Sequence, residues 1–262
     1  PGLIEKIKAL GSAPTLAIIQ VGERPDSIVF VGAKKAFAGK IGVGVRYIQV
    51  KENVSQKELI GIVQECNAAQ DIQGIIVQLP LPIHIDRDMV IDAIDPKKDA
   101  DGLTAVNVKR WLDGRGDAIY PATARGIKEL LGHYGVELFG KKVTIVGRSM
   151  LVGKPIAAMC LNENATVSVC HSHSSNLAEE TKSADIVVSA VGKPGLLGAD
   201  HLKASQIVVD VGITRTADGK LVGDIDFERV KDTVAAITPV PGGVGPMTVF
   251  ALFENLVQLA SL

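Results

Sequence analysis

The sequence predicts a two-domain α/β protein with parallel strands. Short apolar runs of strand length recur along the chain, separated by stretches of helix length, and strands joined through helices pair in parallel with right-handed crossovers. In the second half, Lys141–Pro155 reads as a strand, a sharp glycine-containing turn and a helix start. At 262 residues, 47% of them hydrophobic, the chain is long enough for one large or two medium domains with packed cores.

Taken in order, Thr15–Val21 is the first expected strand, followed by a turn over residues 22–26 and a helix over residues 26–41. A second strand is expected over Gly44–Val50. Ser55 opens a helix, and Glu58 three residues on completes a capping-box pattern. Ile72–Leu79 reads as a third strand, with a short helix near residues 86–94. In the helix over residues 26–41, Phe30, Lys34, Phe37 and Ile41 recur at i, i+4, i+7 and i+11 and share a face. Lys34 therefore sits in an apolar stripe, while Lys35 points elsewhere and is expected to be solvated. Such a lysine can lay its stem along the stripe and reach water. Alternatively its amine is partly desolvated, and its pKa falls from ~10.4 towards neutrality, where it can exchange protons. Gln78 and Asp101 stand at the ends of strand and helix units, the edge at which open α/β sheets bind ligands. A turn cap and an ordinary Asp-Gly turn explain them equally well at this point.

The stretch over residues 118–126 joins the halves, with Thr123 expected to cap a helix before Gly126–Leu131. Five further strands are expected: Val143–Val146, Ala165–Cys170, Asp185–Val191, Gln206–Val211 and Val234–Thr238, the strand count of a nucleotide-binding domain. Thr238–Thr248 then packs three glycines and three prolines into eleven residues. It is either a hinge or a wall of backbone brought close to a flat ligand. A last helix is expected from about Met247, with Val249, Leu252, Phe253 and Leu256 on one face, returning to the first domain. The expected division is residues 1–118 with helix 247–262, and residues 119–246.

The glycine turn carries chemistry. Val143–Val146 is apolar enough to be buried on both faces. Gly147 allows the turn, and Pro155 fits the first turn of a helix. The free N–H groups and positive dipole end of that helix make a phosphate site. The dinucleotide fingerprint G-x-G-x-x-G is matched in part: Arg148 and Ser149 follow Gly147, and the next glycine is Gly153. A P-loop fits worse. Five residues separate Gly147 from Gly153 where four are needed, and Pro155 stands where a hydroxyl should hold magnesium. No Asp or Glu lies between Ala165 and Leu177 to hold a ribose 2′-hydroxyl, whereas Arg148 and Ser172 suit a 2′-phosphate. NADP is thus favoured over NAD. The bland alternatives are a turn that binds nothing and an Arg148 paired with a surface carboxylate.

A net charge of −1 provides no basic field, which argues against a nucleic-acid partner. No apolar run approaches the roughly 18 residues of a membrane span. Cys66, Cys160 and Cys170 are odd in number and lack metal-ligand spacing, so no metal is expected and a reducing, cytoplasmic compartment is. The chain opens at Pro1, with neither Met nor a secretory signal, so some natural N-terminal sequence is expected to precede it.

Four motifs together resemble the FolD family, the bifunctional methylenetetrahydrofolate dehydrogenase/methenyltetrahydrofolate cyclohydrolases. They are Val77–Pro82 (VQLPLP), Lys98–Leu103 (KDADGL), Gly147-Arg148-Ser149 with Val152–Pro155 (VGKP), and Ile237–Thr248 (ITPVPGGVGPMT). The linker Tyr120–Gly126 (YPATARG) matches too, and nearly the whole chain is covered. The resemblance implies an N-terminal α/β catalytic domain and a Rossmann-type NAD(P)-binding domain, with a C-terminal helix returning to the first. It implies oxidation of 5,10-methylenetetrahydrofolate with NADP+ and hydrolysis of the methenyl product to 10-formyltetrahydrofolate, by a homodimer joined through its nucleotide domains. Carried over by position, Lys34 is the catalytic lysine, Gln78 tunes it and Asp101 hydrogen-bonds the pterin. Ser27, Phe30, Leu79, Pro80, Pro241, Gly242 and Gly245 complete the folate contacts. Gly147, Arg148, Ser149, Val152, Gly153, Ser172, Ala190, Val191, Gly192, Ile213 and Thr248 border the NADP, with the run from Thr238 to Gly243 beside it. Two positions depart from the pattern. Phe30 stands where a tyrosine is common, and His173 where a Lys or Arg is common. Phe30 keeps open a monofunctional dehydrogenase, and a nucleotide-binding sensor with a dead site is the alternative from another class.

Overall fold

The alternation of apolar runs and helix-length segments becomes two separate α/β units in a computed structural model, described over residues 2–262. One unit comprises the chain up to Arg110, Arg115–Ala122 and Val249–Leu262; the other comprises Trp111–Gly114 and Thr123–Thr248.

The first unit opens with α1 (Leu3–Ala9), β1 (Thr15–Val21), α2 (Pro25–Ile41), β2 (Gly44–Val50), α3 (Gln56–Ala68), β3 (Gly74–Gln78) and α4 (Arg87–Asp92); α5 (Ala105–Leu112) begins in it. Its parallel sheet has the order β2-β1-β3. Central β1 is buried from Leu16 to Val21, because each face is covered. Leu16, Ile18 and Ile76 pack in a cluster with Val31, Ala38 and Ile41 of α2. Ala17, Ile19 and Val77 pack on the other side with Leu59 and Val63 of α3 and Val90 of α4. The expected cap of α3 forms as read: the Glu58 N–H donates to Ser55 Oγ at 3.3 Å, and the Ser55 N–H donates to the Glu58 carboxylate at 2.9 Å.

The expected stripe on α2 needs one correction. The buried residues are Ser27, Val31, Ala38 and Ile41, while Phe30 is 44% exposed. Spacings of four and three residues centre the inner face on 27-31-34-38-41, so Phe30 and Phe37 lie along its border. Lys34 belongs to the inner face on either count and is half-buried. Lys35 points outwards as expected, with Nζ 4.6 Å from the centre of the Tyr47 ring.

The second unit contains α6 (Ala122–His133) after its first residue, then β4 (Lys142–Val146), α7 (Gly153–Asn162), β5 (Thr166–Cys170), α8 (Leu177–Ser183), β6 (Ile186–Ser189) and β7 (Ile207–Asp210). There follow a hairpin of β8 (Thr214–Arg215) and β9 (Leu221–Val222), α9 (Phe227–Val230), β10 (Ala236–Ile237) and the start of α10 (Val244–Ala260). Five strands run parallel in the order β10-β7-β6-β4-β5. The chain goes from β4 to β5 on one side and returns to β6 on the other, so the loop after β4 lies at the switch point where open sheets take ligands.

Two helix starts differ from expectation. α6 begins at Ala122, directly after Pro121, which places Thr123 inside the first turn rather than at the cap. Its hydroxyl oxygen instead accepts from that of Thr248 at 3.4 Å. α10 begins at Val244, earlier than Met247, and takes Gly245 into its first turn. From Val249 onward α10 is part of the first unit. Leu252, Phe253, Leu256 and Val257 join the Leu16–Ile18–Ile76 cluster, and the Phe253 ring lies 5.5 Å from that of Phe37. Among the described residues, no helix is long and apolar enough to cross a membrane.

Phe253 is fully buried, so Phe253→Ala leaves a cavity that only partial collapse can fill. The expected cost is about 3–5 kcal/mol, read as a lower urea midpoint for the first unit.

Candidate active site

At the carboxyl ends of β1 and β3, the inner face of α2 meets the end of the sheet. Gln78 closes β3 and pairs in register with Gln20 of β1. Lys34 Nζ donates to Gln78 Oε1 at 2.9 Å, and Gln78 Nε2 donates to the Leu79 carbonyl at 3.0 Å. The second bond fixes which end of the amide faces the lysine. Although Lys34 as a whole residue is only half-buried, desolvation of its amine lowers the pKa below the usual 10.5, and the negative charge of Asp101 opposes the fall. Burial pushes the Asp101 carboxyl above the ordinary carboxylate range. The Lys34 charge pulls it back and the Asp99 charge adds to the rise. The structure thus brings Lys34, Gln78 and Asp101 into one electrostatic group, with an amine able to shed its proton more readily than a surface lysine.

The segment bearing Asp101 is held rigidly. Gly102 has φ +65°, and a Cβ there would lie 2.2 Å from the Ile119 carbonyl oxygen. Buried Asp99 gathers Thr104 N–H and Thr104 Oγ at 2.8 Å each and Asn107 Nδ2 at 2.9 Å on one carboxylate oxygen. Asn255 of α10, fully buried, donates to the carbonyls of Ala100 at 2.8 Å and Tyr120 at 2.9 Å. Asp99 and Asn255 were not singled out in the sequence. Asp99 carried a signal, since it shares the KDAD run with Asp101; Asn255 carried none, being one polar position on an apolar helix.

Ser27 is buried on α2, Phe30 is exposed at its outer border, and Pro80 follows a cis Leu79–Pro80 bond. Beside Pro80 lies a cavity of about 490 Å³ walled by Val21–Arg24, Glu52 and Pro80–Ile83. Of these walls only Pro80 was among the expected folate contacts, although all of them lie at or just past the ends of β1, β2 and β3.

In the second unit, two positions of the turn after β4, Gly147 and Gly153, have no room for a side chain. Gly147 has φ +126°, and a Cβ on it would lie 2.5 Å from the Ala190 carbonyl oxygen. A Cβ on Gly153 would lie 2.2 Å from the Gly147 carbonyl oxygen. Arg148 and Ser149 are exposed, and the Val152 N–H donates to Ser149 Oγ at 3.2 Å. Ser172 and His173 are exposed just past β5, with no carboxylate on that turn. Gly192 and Ile213 are exposed beyond β6 and β7, while Ala190 and Val191 are half-buried there. Pro241 follows a cis bond and Gly242 has φ +102°; both are exposed, and Gly245 and Thr248 lie in the first turns of α10. A turn bare at Gly147 and Gly153, with exposed Arg148 on it, Ser172 just past the paired strand β5, and no acid on the β5 turn to repel a phosphate, fits a dinucleotide carrying a 2′-phosphate.

Comparison with known proteins agrees with this chemistry. Residues 2–101 match the catalytic domain of the tetrahydrofolate dehydrogenase/cyclohydrolase family, and residues 121–262 match its NAD(P)-binding domain. The chain is 46% identical over 256 residues to the bifunctional protein FolD of Campylobacter concisus, covering 98% of this chain and 90% of that protein. The crystal structure of the bifunctional FolD enzyme from Campylobacter jejuni superposes with a TM-score of 0.97 at 42% identity, covering 99% of this chain and 93% of that one. The Trypanosoma brucei FolD enzyme, solved with NADP cofactor and an inhibitor, gives a TM-score of 0.94 at 39% identity, covering 99% and 92%.

The two crowded glycines and an uncrowded one should respond oppositely to the same substitution. Gly153→Ala must displace the Gly147 carbonyl and is expected to cost about 1–3 kcal/mol. Gly61→Ala, in mid-α3 with nothing within 4 Å, is expected to gain about 0.5–1 kcal/mol. Thermal melts of the two variants check both signs.

Proposed function

Because the chain belongs to the tetrahydrofolate dehydrogenase/cyclohydrolase family, we propose that Lys34, Gln78 and Asp101 carry its chemistry and that the turn after β4 holds its cofactor. The enzyme oxidises 5,10-methylenetetrahydrofolate to the 5,10-methenyl form with NADP+, and hydrolyses the methenyl form to 10-formyltetrahydrofolate, in one-carbon metabolism. A monofunctional dehydrogenase or an inactive sensor is not favoured, since the relatives at 45–48% identity are named bifunctional.

The observation that carries the catalytic assignment is the 2.9 Å bond from a desolvated lysine amine to the amide that ends β3. In the hydrolytic step, water attacks the methenyl carbon. Lys34, in its neutral form, takes the proton that the attacking water loses. It then returns that proton to the ring nitrogen as the carbon–nitrogen bond breaks, which regenerates the neutral amine. The adduct's remaining hydroxyl proton leaves to solvent as the formyl carbonyl forms. Gln78 accepts from the amine and keeps its lone pair directed, and Asp101 hydrogen-bonds the pterin. The exposed Phe30 ring offers the folate a stacking face without a hydroxyl. The cavity beside Pro80, just past the strand end that bears Gln78, suits the far half of the folate.

NADP+ supplies the hydride acceptor for the oxidative step. Gly147 and Gly153 keep the turn open to its pyrophosphate, and Arg148 and Ser172 are the side chains for its 2′-phosphate. The partner is a tetrahydrofolate derivative. A homodimer joined through the nucleotide unit fits edge strand β5, whose Val167 and Val169 are only partly covered. A cytoplasmic location fits three free, buried cysteines, the Cys160 thiol being pushed up to about 12 by burial.

Lys34→Met keeps the stem and removes the proton site. Methenyl hydrolysis, followed by loss of the near-ultraviolet absorbance, is expected to slow roughly 10²-fold or more. Hydrolysis at the parent rate would reject the assignment. The parent's rate should also climb with pH, because the working form is the unprotonated amine, and desolvation brings the midpoint below 10.5. A profile that falls through that range instead assigns the base elsewhere.

A further inference from the structure

We propose that Asp224 is a positioning residue for the dehydrogenase: it holds the backbone after β6 in the shape that receives the nicotinamide cofactor. The inference rests on the reading that Ala190–Gly192 border NADP.

Asp224 is fully buried, on the loop that leaves β9. One carboxylate oxygen accepts from Ser189 Oγ at 2.9 Å and from the Val191 N–H at 2.8 Å. The other accepts from the Lys193 N–H at 2.7 Å. One side chain therefore ties the last residue of β6 and two points of the loop beyond it. Thr214 of β8 adds a bond from its hydroxyl to the Gly192 carbonyl at 3.2 Å.

Asp224 is itself anchored by a second buried carboxylate. Asp210, the last residue of β7 and the register partner of Ser189, accepts from the N–H groups of Gly212 at 3.1 Å, Asp224 at 2.9 Å and Ile225 at 3.0 Å. The fit leaves no slack. A Cβ on Gly223 would lie 1.9 Å from an Asp210 oxygen, and one on Gly212 would lie 2.2 Å from an Asp224 oxygen. Two carboxylates buried this close together are a costly way to shape a loop, and burial already pushes Asp210 to about 6. Apolar side chains would cover the sheet end for less. What they cannot do is accept from three donors on the β6 end and its loop in a fixed geometry.

The test compares the enzyme's two activities in one variant. Asp224→Asn keeps the shape but turns an N–H2 towards groups that are donors, so one backbone N–H of the loop loses its acceptor. The KM for NADP+ in the dehydrogenase assay is expected to rise about tenfold or more. Cyclohydrolase kcat on methenyltetrahydrofolate, which needs no nicotinamide, should stay within about twofold. Unchanged KM, or both activities falling together, overturns the proposal. Should Asp224→Asn not fold, Ser189→Ala, which removes one hydroxyl from the same carboxylate, decides the matter: KM for NADP+ should rise by about two- to fivefold with an unaltered melting temperature. No rise overturns the proposal. Hydrogen exchange of the parent enzyme with and without NADP+ separates the two layers. Protection of residues 190–193 with an indifferent Asp224→Asn sinks the inference alone, and no protection sinks the loop assignment with it.

Discussion

The proposed chemistry of the first unit depends on keeping one amine dry. A lysine in water holds its proton to about 10.4, far too tightly to act as a base near neutrality. The chain removes Lys34 from water by placing it on the inner face of α2, between Val31 and Ala38, where the helix covers the sheet. Burying a cation is tolerable here because Gln78 Oε1 accepts one of its hydrogens and the Asp101 charge lies close enough to be felt. The same burial raises the Asp101 pKa, and the Lys34 charge pulls it back. The pair is balanced by its surroundings, and those surroundings are the ordinary cores of the unit.

In the second unit the governing constraint is distance between backbones. Gly147 and Gly153 both lie where a single methyl carbon would overlap a carbonyl oxygen. The turn after β4 therefore keeps its backbone bare at both ends, the arrangement that lets an anion approach a helix N-terminus. One unit is marked by the burial of a charge, and the other by two positions where no side chain fits.

Much of this was legible locally. Thr15–Val21 and Gly44–Val50 were readable to the residue, because an apolar run bounded by glycine and polar turns has few other places to go. Ser55 and Glu58 announced their helix because a capping box is complete within four residues. Lys34 stood out by helical period alone. The Phe30 side of its stripe was misjudged, since a four-position pattern does not distinguish the centre of a buried face from its border. Gln78 and Asp101 gained roles only through the family's motifs, because a glutamine ending a strand and an Asp-Gly turn are common in any fold. Asp210 and Asp224 were not legible at all. They meet through a fold-back of fourteen residues, and each looks in sequence like an ordinary turn residue.

The last helix has a consequence for how the protein comes into being. α10 fills the first unit's core with Leu252, Phe253, Leu256 and Val257, yet these residues are translated only after the whole second unit. The sheet β2-β1-β3 and α2 are synthesised early, and the part of their shared cluster that α10 covers must wait while the whole second unit is made. A nascent chain in that interval leaves the α10-facing part of the Leu16–Ile18–Ile76 cluster open, the kind of surface that chaperones bind, and a stop before α10 would leave it open for good.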